Sequence, residues 1–258
     1  MCRPQHFGVE YEINPWMHVE QGVDREKAGS QWQALFRAYQ ELGQAVELVD
    51  PVPGLPDMVF TANAALVHCG KAVLARFHHP ERQGEERHWR RALSDRGLQI
   101  LEVSGGTSFE GAGDALFVGD RLFAGHGFRT DVAAHRDLAR LLGVEVVSLH
   151  LVDPHFYHLD TCFCPLAPEV VMFAPHAFTR ESARLVRRLV PHVIEVSPAL
   201  ARDFICNGVV VGDHLLSSTG VEQMDGQLHG EGLAATAFPM TEFLKAGGGV
   251  RCLTLELN

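Results

Sequence analysis

Residues 115–149 read ALFVGDRLFAGHGFRTDVAAHRDLARLLGVEVVSL. An apolar run at 115–118 meets a turn at Gly119–Asp120, and a second apolar run follows at 121–124. That is a hairpin signal. Residues 132–142 read as a helix stopped by Gly143, a good C-terminal cap, and 144–149 as a buried strand. The same order recurs on both sides. Upstream lie strands at 64–67 and 72–75 around Cys69–Gly70, a helix at 85–96 with Trp89 and Leu93 on one face, and a strand at 98–103. Downstream come strands 157–165 and 170–173, helix 180–189 and strand 193–196. A fourth copy has strands 208–211 and 214–217, a glycine-weakened helix near 221–229, and strand 235–238.

The ends complete a fifth copy. The last strand, 250–257, joins a first strand at 7–13, a helix at 26–42 and a strand at 46–49. Helices therefore start every 40–60 residues or so, and one supersecondary unit repeated at such a period forms a ring or a solenoid. A unit split between the termini favours a closed ring. An ordinary α/β sandwich is the alternative, because apolar strands followed by helices also describe a sheet covered by helices. No linker, low-complexity tract or charge block divides the chain, so a single domain over 1–258 is expected.

Composition narrows the function classes. Apolar residues make up 46% and charged residues 21%, as in a globular protein. Lys and Arg number 22 against 32 Asp and Glu, a formal charge of −10. That balance gives no footprint for nucleic acid or anionic membranes. No uninterrupted apolar stretch reaches membrane-spanning length, and the first residues lack the pattern of a secretory signal. A reduced cytoplasmic protein is expected, with its six cysteines as free thiols. No HExxH or CxxC pattern occurs, so neither a metal nor another cofactor is expected. Cys162 and Cys164 read as two small buried residues, and the glycine stretch 104–113 leads into a strand rather than a phosphate-binding helix.

Three segments carry candidate chemistry. Phe109-Glu-Gly-Ala-Gly-Asp114 sets two carboxylates among glycines before a strand; they are either solvated turn formers or groups held close to a ligand. His158 and Asp160, two apart, share a face if their segment is a strand. They are either a structural pair or a general acid/base beside a cation-binding carboxylate. The run Lys245–Cys252 uses three glycines to deliver Cys252 at a strand mouth, where a thiol has access to oriented N–H groups. Asp57, Glu110, Asp114 and Asp160 with one Cys and one His make a set better suited to a cation than to an acyl group.

In order along the chain, PDMVFTANA, FEGAGDALF, GFRT, HLDTCFCPL, CNGV and AGGGVRCLTLEL resemble the guanidino-group-modifying superfamily. That superfamily has a five-bladed α/β-propeller (pentein) fold of five ββαβ units. It contains arginine deiminases, dimethylarginine dimethylaminohydrolases, amidinotransferases and arginine dihydrolases. The resemblance spans essentially the whole chain. EINPWM, with Asn14, and FTANA, with Asn63, point towards arginine dihydrolases and their bacterial amidinotransferase-like relatives. Such dihydrolases often continue into a second, C-terminal domain.

The resemblance implies roles. Cys252 would be the nucleophile, His158 the proton donor and later the activator of water, and Glu110 the group that holds the guanidinium and orients His158. Asp57 and Asp160 would clamp the guanidino nitrogens, and Arg82 and Arg129 would bind the substrate α-carboxylate. Asp114 would support the loop, while Asn14 and Asn63 would position an intermediate or water for a second C–N cleavage. The expected substrate is a small cationic amino acid, arginine or a methylated arginine, and a homo-oligomer is compatible with the reading. Deiminase, dimethylarginine dimethylaminohydrolase, amidinotransferase and non-catalytic binding roles remain the alternatives.

Overall fold

Each predicted hairpin forms, and each is extended by a third strand that returns across a helix. A computed structural model describes residues 1–257. The first unit contains β1 (Ala65–His68), β2 (Lys71–Leu74) and β3 (Gln99–Leu101). The second contains β4 (Ala115–Val118), β5 (Arg121–His126) and β6 (Glu145–His150). The third contains β7 (Phe163–Ala167), β8 (Val170–Phe173) and β9 (His192–Glu195), and the fourth β10 (Val209–Val211), β11 (His214–Ser218) and β12 (Ala234–Phe238). In every sheet the first strand pairs antiparallel with the second and the second parallel with the third.

The crossover helices explain the parallel third strands. Helix Val132–Leu142 buries Ala134, His135, Leu138 and Leu142 along one stripe. It ends at Gly143, whose left-handed φ of 75° lets its N–H reach Ala139 O. Helix Arg180–Leu189 buries Ser182, Ala183 and Val186, and the Thr179 hydroxyl caps it by accepting from the Ser182 N–H. Covered by such helices, β8 is buried at all four positions. In the fourth unit the crossover is a 3₁₀ turn, Val221–Met224, followed by the short helix Asp225–Gly230.

The first strands of the four units surround one axis. Leu66, Leu116, Leu166 and Val210, one from each, line a common cavity with Arg251 and Glu256 of the C-terminal segment. The arrangement is the five-bladed α/β propeller, with the blade made from both termini the least regular. Its helix Arg25–Glu41 forms, capped by Asp24. The strand expected at 7–13 does not form, and its N-terminal pairing reduces to a parallel bridge between Cys2 and Val49. The strand expected at 250–257 is absent too, because its backbone is engaged elsewhere. Leu253 N–H bonds Gly249 O, Thr254 N–H bonds Arg251 O, and Cys252 O accepts from Ala62 N–H. Among the described residues no helix is long and apolar enough to cross a membrane.

Candidate active site

The loops entering the inner strands all lie at one end of the axis. They are Thr61–Ala64 before β1, Gly111–Asp114 before β4, Leu159–Thr161 before β7 and Asn207 before β10. The predicted strand at 157–165 begins only at Phe163, since 159–161 form a 3₁₀ turn. His158 and Asp160 therefore do not share a strand face. His158 precedes the turn and Asp160 lies within it.

Of the ten predicted site residues, Asn14, Asp57, Asn63, Arg82, Arg129 and Cys252 line one small, tightly closed cavity. Ile13, Met17, Phe60 and Tyr157 supply apolar wall. Glu110, Asp114, His158 and Asp160 back this wall, each bonded to a neighbour of the cavity or to the loop that carries it. All four are buried.

One chain of hydrogen bonds sets the histidine. Arg129 Nη1 donates to Glu110 Oε2 at 3.1 Å, and His158 Nε2 lies 2.7 Å from the same oxygen. Glu110 Oε1 accepts from His78 N–H at 3.1 Å. Burial pushes the Glu110 pKa up, but Arg129 and His158 outweigh it and hold the carboxyl well below its ordinary range. An ionised carboxylate only accepts, so His158 Nε2 carries the proton. Nδ1 is then the acceptor in the neutral imidazole, 3.5 Å from Asn63 Nδ2. Asn63 is oriented by Arg82, whose Nη1 donates to Oδ1 at 2.9 Å. This places a proton-accepting nitrogen behind a cavity-lining amide.

A second chain holds the thiol. Cys252 Sγ donates to Asp160 Oδ2 at 3.4 Å and accepts from Asn207 Nδ2 at 3.1 Å. Asn207 Oδ1 takes the N–H groups of Arg251 and Cys252 at 3.0 and 3.3 Å. Burial and then Asp160 raise the Cys252 pKa well above its ordinary value. Burial raises Asp160 to about 7 and Asp57 to about 6. Asp57 Oδ1 and Asp160 Oδ1 are buried with no hydrogen-bond partner. Two orphaned carboxylate oxygens beside a buried thiol call for a ligand that brings N–H donors and positive charge.

The glycines make room for these contacts. A side chain at Gly113 would run into the Asn63 amide, and a Cβ at Gly249 would lie 2.8 Å from Asn207 Oδ1. Asp114 ties two loops together, accepting from the Thr130 hydroxyl at 2.7 Å and from Leu159 N–H at 3.0 Å. Its own pKa is raised to about 6 by burial. Asn14 accepts from Trp16 N–H and donates to Ala246 O.

Four residues without a sequence-level assignment belong to the arrangement: Asn207, Glu85, Thr130 and Tyr157. Glu85 grips Arg82 through two bonds, to Nε at 2.8 Å and to Nη2 at 3.0 Å. With Asn63 and Asp57 O also engaged, Arg82 retains a single uncommitted Nη1 proton among the described residues. Arg129 donates to Glu110 and Ile13 O, lies over the Tyr157 ring and keeps Nε free. The Tyr157 hydroxyl donates to Gly247 O at 2.8 Å, anchoring the glycine run. Among the described residues, no three His, Cys, Asp or Glu side chains converge as a metal-binding group.

The family model described as "N,N dimethylarginine dimethylhydrolase, eukaryotic" matches residues 3–258. The chain belongs to this family. It is 44% identical over 263 residues to the bifunctional arginine dihydrolase/ornithine cyclodeaminase AgrE of Nostoc sp., covering 100% of this chain and 37% of that protein. It is 42% identical over 261 residues to the N(G),N(G)-dimethylarginine dimethylaminohydrolase of Mycobacterium tuberculosis, covering 100% of this chain and 85% of that protein. In structure it is similar to the substrate-bound N-terminal domain of ArgZ, described as an arginine dihydrolase from the ornithine-ammonia cycle in cyanobacteria. The TM-score is 0.97 at 42% identity, covering 100% of this chain and 96% of that one. The chain thus spans little more than a third of the length of the bifunctional relative and most of the mycobacterial one. The five-bladed propeller and the superfamily likeness stand on these matches.

Proposed function

We propose that residues 1–258 form one catalytic domain that hydrolyses the guanidino C–N bonds of arginine through a covalent bond to Cys252, in the manner of an arginine dihydrolase. The observation that carries this reading is the pair of orphaned oxygens, Asp57 Oδ1 and Asp160 Oδ1, beside the Cys252 thiol. A guanidinium offers planar N–H donors to both oxygens and a counter-charge to Asp160; Asp57 already has Arg82 Nε 3.9 Å from its other oxygen.

Binding the cation offsets the carboxylate charge that disfavours the Cys252 thiolate. The Cys252 proton passes to His158 Nδ1 as the thiolate attacks the guanidino carbon, and one C–N bond breaks as the imidazolium returns that proton to the departing ammonia. His158 Nδ1 then takes a proton from water, which adds to the same carbon and displaces sulfur to leave citrulline. A second round at the ureido carbon releases another ammonia and a carbamate, which falls to ornithine and carbon dioxide. The sum is arginine plus two waters giving ornithine, two ammonia and carbon dioxide. Asn14 and Asn63 line the cavity and hold the ureido group for the second round. The uncommitted protons of Arg82 and Arg129 meet the substrate carboxylate, with most of each guanidinium serving the wall itself.

Unmethylated arginine is favoured over dimethylarginine on the same ground. Dimethylation removes N–H donors and leaves a buried carboxylate oxygen unsatisfied, a loss of about 1–3 kcal/mol. Mass analysis of the products tests this. One ornithine and two ammonia per arginine support the proposal. Accumulated citrulline indicates a deiminase, and turnover of dimethylarginine alone replaces the reading with the dimethylaminohydrolase reaction.

A further inference from the structure

The nucleophile has a partner that its own sequence neighbourhood does not reveal. Asn207 is fully buried, 45 residues before Cys252 and just ahead of β10. All four hydrogen-bonding positions of its amide are occupied. Oδ1 accepts from the backbone N–H groups of Arg251 and Cys252. Nδ2 donates to Asp160 O at 3.0 Å and to Cys252 Sγ at 3.1 Å.

That saturation decides the orientation. Turning the amide over would aim NH₂ at two backbone donors and an oxygen at Asp160 O, losing the bonds to Arg251 N–H, Cys252 N–H and Asp160 O. The sulfur is therefore bracketed by a fixed donor, Asn207 Nδ2, and an acceptor, Asp160 Oδ2 at 3.4 Å. The thiol proton points to Asp160, and the amide proton points to a sulfur lone pair. Once the thiol ionises, the Asp160 carboxylate repels the sulfur while the amide proton attracts it. A cation in the cavity cancels the repulsion, and the amide supplies the part of the stabilisation that is present before any ligand arrives.

We propose that Asn207 is a catalytic residue: its Nδ2–H holds the sulfur of Cys252 in place and stabilises it as the attacking thiolate. This rests on Cys252 being the nucleophile. A purely structural Asn207 would need only its bonds to Arg251, Cys252 N–H and Asp160 O, and the charge on sulfur would not sense it.

The test follows the charge on sulfur. Alkylation of Cys252 by iodoacetamide is measured by peptide mass across pH, because Cys69 is the exposed thiol among the six and reacts as well. In Asn207→Ala the midpoint of Cys252 alkylation rises by about one to two pH units. In Asn207→Asp, which keeps an acceptor for both N–H groups but faces the sulfur with oxygen, it rises further. With arginine, kcat of Asn207→Ala falls about 10- to 100-fold near neutral pH with KM changed less than about threefold, and part of the loss is recovered at higher pH. An unchanged alkylation midpoint in a folded variant overturns the proposal. Should neither variant fold, the wild-type protein still decides. The side-chain amide protons of Asn207 must shift in NMR with the midpoint of Cys252 thiolate absorbance, and an indifferent amide overturns the proposal. Turnover retained by Cys252→Ser would sink the nucleophile reading instead, and the alkylation profile distinguishes that failure from this one.

Discussion

Asp160→Asn separates stability from activity, because one carboxylate is harmful to the empty fold and needed by the ligand. Asp160 is fully buried, with Oδ2 on the Cys252 thiol and Oδ1 unpartnered. Burial moves its pKa from 3.8 to about 7, which corresponds to roughly 4 kcal/mol of folding free energy. The acid is raised in the folded state, so the folded protein binds the extra proton. Below about pH 4 the group is protonated in both states and nothing is lost. The penalty grows as pH rises from about 4 to 7 and is complete above that. Asparagine removes the titration but adds an amide donor where Oδ1 now lies unpaired, which costs about 1–3 kcal/mol at every pH. The stability difference between variant and wild type therefore shifts in the variant's favour between pH 5 and pH 8. At about 2–4 °C per kcal/mol for a chain of this size, calorimetry should show a Tm difference about 5 °C more favourable at pH 8 than at pH 5. Activity moves the other way. Removing one partner of a buried charge pair costs about 3–5 kcal/mol, which predicts a loss of about 10²- to 10⁴-fold in kcat/KM for arginine. A variant within threefold of wild-type activity refutes the clamp, and a Tm difference independent of pH refutes the buried titration.

Three further outcomes follow from the same geometry. Gly249→Ala puts a Cβ 2.8 Å from Asn207 Oδ1, so it should cost about 1–3 kcal/mol in denaturant unfolding and lower kcat at least about tenfold. Glu85→Ala leaves the Arg82 guanidinium buried without its bidentate partner; a loss of about 3 kcal/mol or more, some 6–12 °C in Tm, is expected by calorimetry. Arginine binding should tighten from pH 5 to pH 8, because Asp57 at about 6 and Asp160 at about 7 must lose protons to meet a cation. Titration calorimetry on Cys252→Ser protein in buffers of different ionisation enthalpy should accordingly detect proton release, and affinity flat with pH would contradict the carboxylate pair.

The repeating units were legible because their signals are local. The helix Val132–Leu142 and strand Val170–Phe173 have the bounds that their apolar patterns and flanking turns predict. The terminal blade was not, since alternation at 7–13 and 250–257 predicts strands only if a ladder partner exists. Turn bonds and the Ala62–Cys252 contact take up the backbone of the second segment instead. The same limit applies at His158 and Asp160, where a 3₁₀ turn, not a strand, sets the two side chains in separate hydrogen-bond chains.

Within the site, residues standing in short motifs with glycine could be picked out. Those whose work depends on closing distant segments could not. Asn207 lies in CNGV, yet its role appears only when β10 and the turn at 249–252 meet. Glu85 reads as one more acid at a helix start. It takes the burial of Arg82 three residues earlier to make it the counter-charge of the cavity wall.

The proposed reaction turns on a covalent bond between Cys252 and the guanidino carbon of arginine. Acid-quenched enzyme, caught during turnover of arginine labelled with ¹³C at that carbon, can be digested and its Cys252 peptide weighed. A labelled adduct on Cys252 that decays as ammonia and ornithine appear is the expected result. Turnover with no label on Cys252, or undiminished turnover by Cys252→Ser, would contradict it.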